Sequence, residues 1–330
     1  MMFNERISPF NECFYYNCFH SALFAVIKAN HGSVLECMAS GVPHLERQTI
    51  DDKFRILYRF NFMKSYSELM GENGLECSFL AKEDESISHI RSAILDGAAA
   101  IINVEGWALP YRADLFHKSY WPHCILVTGY KSDLGLFTVI DQPTRDSVAS
   151  QFFEIPEGCL NDAIKLYCER KHNFVEYAAN NNWLVYPVGN VVRDRKPSEL
   201  FALWRLNLSH EKNLIIEGIA NARRSLPDII ELLKRLDGCN HVEGHFFLDG
   251  LNDIVKQHRW MGYFVREVSV VDNELIKLIN NLLLQWEQVR NCIGHIIFSG
   301  RKRDSTLELV GKKWCIALNM ESEILTKLFV

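Results

Sequence analysis

One stretch constrains this chain more than any other. His123–Gly129 (HCILVTG) and Leu136–Asp141 (LFTVID) are apolar runs flanking a polar turn through Lys131, Ser132 and Asp133. Runs of that length around such a turn predict an antiparallel hairpin. A turn centred near Ser132 sets His123 and Asp141 opposite each other, equidistant from the centre. Facing residues of an antiparallel pair hold their Cβ atoms about 4.5–5.5 Å apart, within reach of an imidazole–carboxylate hydrogen bond. Ile125, Val127, Phe137 and Val139 share that face and form an apolar wall beside the polar pair.

The segments around the hairpin fit an α+β region. Phe19, Ala22, Leu23, Val26 and Ile27 recur at helical spacing and stop at Asn30-His31-Gly32, a C-terminal cap signal. Leu75–Leu80 reads as a strand, residues 84–95 as a helix carrying Ile87, Ile90 and Ile94, and Ala98–Val104 as another strand. Past the polar stretch Asn190–Ser198 the pattern turns mainly helical, at roughly 198–208, 211–235 with Pro227 interrupting, 243–258 and 270–297. Leu275, Ile279, Leu282, Leu283 and Trp286 make a stripe that reads as a packing face. A chain of 330 residues allows about two domains. The expectation is therefore residues 1–190 as a helix packed on an antiparallel sheet, and 191–330 as a helical domain. The helical domain is a candidate surface for an acceptor or a carrier protein.

Several functions are disfavoured. Thirty-six Lys and Arg against 41 Asp and Glu leave a formal charge of −5, which does not suit a phosphate backbone, so no nucleic-acid partner is expected. No secretory signal or membrane-length apolar run is visible, and ten cysteines without an export signal suggest a reducing, cytoplasmic setting. Phosphate-binding loops, dinucleotide glycine clusters and Gly-x-Ser-x-Gly elbows are missing. Cys239, His241 and His245 come nearest to metal spacing, but Gly238 and Gly244 interrupt the helix they would need. No metal and no organic cofactor is expected.

Cys18 carries the chemical interest. It opens the first amphipathic helix, where unpaired N–H groups and the helix dipole favour a thiolate and can cradle an oxyanion. A thiol nucleophile needs a base, and the base an orienting acceptor, roles that His123 and Asp141 fit. Cys13, on the same segment, is the rival nucleophile.

Taken in order, Cys18-Phe-His-Ser21-Ala22-Leu23, then Leu109-Pro110-Tyr111, then His123-Cys-Ile-Leu-Val-Thr-Gly129-Tyr130 and Val139-Ile-Asp141 resemble the N-terminal domain of the butirosin-biosynthesis protein H family. That family is in turn similar to papain-like cysteine peptidases, and the likeness spans about residues 10–155. It implies a papain-like fold and a Cys18–His123–Asp141 triad. It also implies acyl transfer from a phosphopantetheine-linked acyl carrier protein to a small amine or alcohol, in antibiotic biosynthesis. Papain-like enzymes place a Gln oxyanion donor before the nucleophile; none precedes Cys18, which leaves Asn11 or Asn17 as candidate donors, with helix capping the alternative for Asn17. Gly300-Arg301-Lys302-Arg303 and Lys312-Lys313 offer an acidic carrier a basic patch, or simply form a solvated turn. A peptidase, amidase or thioesterase using the same triad, and a binding module with an inert thiol, are the rival readings.

Overall fold

The computed structural model describes residues 2–13, 17–80, 87–144, 147, 149–170, 182–189, 195–236, 242–268, 273–301 and 303–329. In chain order its elements are α1 (Cys18–Ala29), α2 (Val34–Ala39), β1 (Gly41–Ile50), β2 (Lys53–Phe62), α3 (Tyr66–Glu72), β3 (Leu75–Leu80), α4 (Ile87–Leu95), β4 (Ala99–Glu105), β5 (Pro122–Lys131), β6 (Leu136–Asp141) and β7 (Gln151–Pro156). There follow α5 (Glu157–Glu169), β8 (Asn182–Pro187), α6 (Pro197–His210), α7 (Lys212–Arg224), α8 (Leu226–Arg235), α9 (Val242–Glu267), α10 (Asn273–Ser299) and α11 (Asp304–Leu328). The class is α+β, with antiparallel sheets and a helical C-terminal half, as the sequence pattern predicts.

The chain forms two compact units. The first is Met1–Val34 with Lys64–Asp194; the second is Leu35–Met63 with Arg195–Val330. The division near residue 194 follows the change in periodicity, although Asn190–Asp194 of the expected linker lie outside the described residues. Residues 35–63, expected within 1–190, go instead with the helical unit.

In the first unit six strands pair antiparallel in the order β3-β8-β4-β5-β6-β7. Both faces of the central strands are covered, so these strands read as nearly continuous apolar runs instead of alternating ones. On one face Ala100, Ile102, Ile125, Val127, Phe137, Val139 and Leu184 pack with Ile90 and Ile94 of α4 and Leu160 and Ile164 of α5. On the other, Ala22 of α1 lies with Leu126 and Ile140 around a small cavity, and Phe19 meets Trp183 edge-on at 5.3 Å between ring centres. Helix α1 ends at Asn30, whose amide reaches the carbonyls of Asn73 (2.8 Å) and Gly74 (3.0 Å) and locks the helix end to the start of β3.

Among the described residues the second unit combines α6 to α11 and the C-terminal part of α2 with the β1–β2 hairpin, and the sequence pattern does not predict α11. Two glycines explain why the hairpin belongs here. A Cβ on Gly218 of α7 would sit 2.3 Å from the Leu45 carbonyl oxygen, and one on Gly250 of α9 would sit 2.4 Å from that of Ile56. Only a bare Cα lets these helices lie directly on the two strands. The expected helix 211–235 is two helices, α7 and α8, broken at Ser225 beside Pro227. Leu275, Ile279, Leu282 and Trp286 are buried core residues, and Leu283 is half-buried.

Candidate active site

Cys18 is the first residue of α1. Asn17, in extended conformation, caps the helix through its side-chain oxygen, which accepts from the His20 N–H at 3.0 Å. The same oxygen lies 2.8 Å from His20 Nδ1, and His20 Nε2 lies 3.2 Å from the Tyr66 hydroxyl. Burial lowers the His20 pKa to about 3, so this histidine is neutral and structural. The first turn of α1 carries no acidic side chain, leaving the positive end of the helix dipole to act on Cys18.

His123 and Asp141 do meet, though not through the expected register. Leu126 pairs with Ile140 and Val127 with Val139, and a bulge at Thr128 then shifts the ladder, so that Gly129 pairs with Thr138 and Lys131 with Leu136. Extending the register from Leu126 sets Asp141 across from Ile125. His123 is its diagonal neighbour and not its direct opposite. The error is two residues, and because strand side chains alternate with period two, the pair stays on one face. The imidazole spans the diagonal: His123 Nε2 lies 2.5 Å from Asp141 Oδ1. Both residues are buried.

Asp141 is saturated. Besides His123 it accepts from the Tyr111 hydroxyl (2.9 Å), from Arg112 Nη1 (3.4 Å) and from the backbone N–H of Gln142 (2.6 Å). Arg112 is only 1% exposed and is gripped from its other edge by Asp114, 3.1 Å from Nε. Arg112 Nη1 also approaches His123 Nε2 to 3.1 Å. A guanidinium only donates and a carboxylate only accepts, so the Nε2 proton goes to Asp141. That leaves Nδ1 as the ring nitrogen for the sulfur, and the Cys18 and His123 side chains are hydrogen-bonded to each other. Burial and the Asp141 charge raise the Tyr111 pKa well above its ordinary value, keeping its proton in place as a donor.

The Cys18 sulfur has a third neighbour. Cys124 follows His123 on β5, so the two side chains point to opposite faces of the sheet. Both nevertheless bond the Cys18 sulfur, as does the backbone N–H of Cys124. The β5–β6 pairing ends at Leu126 and Ile140, two residues short of Cys124, which is paired on its other side with Asn103 of β4. The electrostatic outcome is a thiolate–imidazolium pair. The Cys124 thiol hydrogen bond lowers the Cys18 pKa well below the ordinary thiol value; burial opposes this, and the His123 charge, its hydrogen bond and the Cys124 N–H reinforce it. Burial works against the His123 cation, yet Asp141 and Cys18 together raise it to about 10. Cys13, the rival nucleophile, is buried and its pKa is pushed up to about 12.

The two candidate oxyanion donors have other tasks. Asn11 is bonded to Ser150: its Nδ2 donates to the Ser150 carbonyl (3.0 Å) and its Oδ1 accepts from the Ser150 N–H (2.8 Å). Asn17 serves as the helix cap, the alternative already open to it. At the start of α1 the first backbone N–H groups have no carbonyl partner within the helix, and that of His20 is taken by Asn17. Tyr111, Arg112 and Cys124 escaped the sequence reading as functional residues. Tyr111 and Cys124 lie within the Leu109-Pro110-Tyr111 and His123-Cys motifs, and for Arg112 the signal is the charged pair Arg112-Ala-Asp114 within an aromatic loop. Of the metal candidates, Cys239 and His241 lie outside the described residues, and the His245 ring packs 5.4 Å from that of Phe298. Among the described residues no group of three or more His, Cys, Asp or Glu could hold a metal ion, and no helix is long and apolar enough to cross a membrane. No protein-family model and no curated protein matches this chain.

Proposed function

We propose that this protein is a cytoplasmic cysteine acyltransferase of papain-like fold, akin to the butirosin-biosynthesis protein H family, working through a Cys18 acyl-enzyme in the assembly of a secondary metabolite. The observation that carries the reading is the relay from the Cys18 sulfur through His123 to Asp141, the last link being 2.5 Å long. The Cys18 thiolate attacks the carbonyl of a carrier-bound thioester. The bond to the phosphopantetheine sulfur breaks, and that sulfur leaves with the His123 proton. His123, now neutral, takes a proton from an incoming amine or hydroxyl as its heteroatom attacks the acyl-Cys18 thioester. The Cys18–acyl bond breaks and the thiolate–imidazolium pair is restored. Exchange between thioesters is nearly thermoneutral, so positioning supplies most of what such a transfer requires. Asp141, held by Tyr111, Arg112 and the Gln142 N–H, fixes the tautomer that aims Nδ1 at the sulfur. The exposed Arg301, Arg303 and Lys312 suit an acidic carrier protein.

Intact-protein mass spectrometry after incubation with a panel of acyl-carrier thioesters tests the reading, with Cys18→Ala alongside. The expected result is an acyl mass on the parent, absent from the variant and discharged by amines faster than by water. Discharge by water alone would make the protein a thioesterase or amidase. Rapid alkylation of Cys18 without any acyl-enzyme would exclude carrier thioesters as donors, and an inert Cys18 would leave a binding module.

A further inference from the structure

Cys124 is a buried thiol in contact with the candidate nucleophile, and the proposed transfer gives it no covalent step. Cys18 and Cys124 line one cavity of about 10 Å³, room for about a single water, with Ala22, Leu126 and Ile140 as its apolar wall. Their side chains are hydrogen-bonded, and Cys124 is itself 4% exposed while Cys18 is half-buried. The nine described cysteines are all free thiols.

From this contact we infer that Cys18 and Cys124 are a two-cysteine oxidation site, which a small hydroperoxide converts to a Cys18–Cys124 disulfide. The inference rests on the same activated Cys18 as the proposed function, but not on acyl transfer. The Cys18 thiolate attacks the terminal peroxide oxygen. The O–O bond breaks, sulfur gives up two electrons, and the departing alkoxide or hydroxide takes the His123 proton. Cys18 is then a neutral sulfenic acid. The thiol of Cys124 attacks that sulfur; the S–O bond breaks and hydroxide leaves with the Cys124 proton as water. A dithiol returns two electrons and two protons and restores both thiols.

Contact favours resolution over further oxidation, since the Cys124 side chain already bonds the Cys18 sulfur and shares its cavity, although burial of Cys124 works against its thiolate. In the reduced state burial, followed by the bond to Cys18 and its negative charge, raises the Cys124 pKa well above its ordinary value. Oxidation of Cys18 removes that negative charge and leaves His123 neutral beside the pair. Cys18 is half-buried and so open to a small oxidant, while Cys124, 4% exposed, is shielded from external thiols. The disulfide would block the nucleophile reversibly and spare it the irreversible higher acids.

The test treats the full chain with hydrogen peroxide and follows intact mass and peptide maps. The expected product is lighter than the reduced protein by two hydrogens, links residues 18 and 124, resists dimedone and is reversed by dithiothreitol. Cys124→Ala, and Cys124→Ser as the closer isostere, should instead accumulate a dimedone-reactive sulfenic acid and then gain a second oxygen. A wild-type protein that oxidises as these variants do, or that links Cys18 to Cys13, overturns the inference. Iodoacetamide labelling of the reduced protein separates the failures. Fast labelling of Cys18 without a Cys18–Cys124 disulfide sinks this inference alone; an unreactive Cys18 sinks it together with the proposed function.

Discussion

Asp141 is the most heavily committed side chain near Cys18. It receives hydrogen bonds from an imidazole, a phenol, a guanidinium and a backbone N–H, so its position leaves little freedom to the His123 ring. Arg112 ties that carboxylate to Asp114. Breaking a buried ion pair by removing one partner costs about 3–5 kcal/mol, because it strands charge in the interior. Arg112→Met should therefore lower stability by about that amount in urea unfolding, whereas an exposed arginine such as Arg301 should change it by less than about 0.5 kcal/mol on truncation. His20 gives a second expectation. Its folded pKa, about 3, lies below the unfolded value of 6.5, so the unfolded chain binds the extra proton between those values. Stability supplied by neutral His20 is present above pH 6.5 and is lost as pH falls toward 3. His20→Gln should flatten that acid limb in unfolding curves recorded across the window. Cys18, His123 and Asp141 are legible in the sequence as candidates because their side-chain types advertise the chemistry. Arg112, Tyr111 and Cys124 are not, because a loop arginine or a cysteine in an apolar strand looks the same whether or not it touches a site.

Helix α1 and the β5–β6 hairpin turn those side chains into a site. The Asn17 cap sets where α1 begins and therefore where the Cys18 sulfur lies. Replacing such a cap by alanine costs about 0.5–2 kcal/mol. Asn17→Ala should lower thermal stability accordingly and slow Cys18 alkylation at neutral pH, as the fraying first turn loosens its grip on the thiolate. Periodicity located α1, β3, α4, β4, β5 and β6 within a few residues, since each is a regular apolar pattern ended by a cap or turn. It could not register the hairpin. The turn pairs Lys131 with Leu136, so it is centred past Asp133 and not at Ser132, an offset of three residues, and the bulge at Thr128, which nothing in a Val-Thr-Gly sequence announces, takes one of them back. The face assignment survived because the register error was even. Strand β8 was missed because its pattern is short and its partners, β3 and β4, lie far away in sequence.

The change from mixed to helical periodicity near residue 190 was visible across the molecule as a whole, but the allegiance of residues 35–63 was not. That hairpin joins the second unit through close backbone approaches at Gly218 and Gly250, contacts that leave no local pattern in the hairpin itself. Gly218→Ala and Gly250→Ala should each destabilise by about 1–3 kcal/mol through overpacking against strand carbonyls. The residues of the candidate site all lie in the first unit, so neither substitution should alter the alkylation rate of Cys18 under conditions where the protein remains folded. Unfolding curves combined with iodoacetamide kinetics check both halves of that expectation.

The thiolate–imidazolium pair underlies every functional statement made of this chain, and the pH dependence of Cys18 alkylation reaches it directly. With iodoacetamide, the wild-type rate should titrate with a midpoint well below that of an ordinary thiol, because the Cys18 pKa is lowered well below the ordinary value. His123→Ala should carry the midpoint upward, toward that ordinary value. A wild-type midpoint near pH 9, unchanged by His123→Ala, would contradict the account.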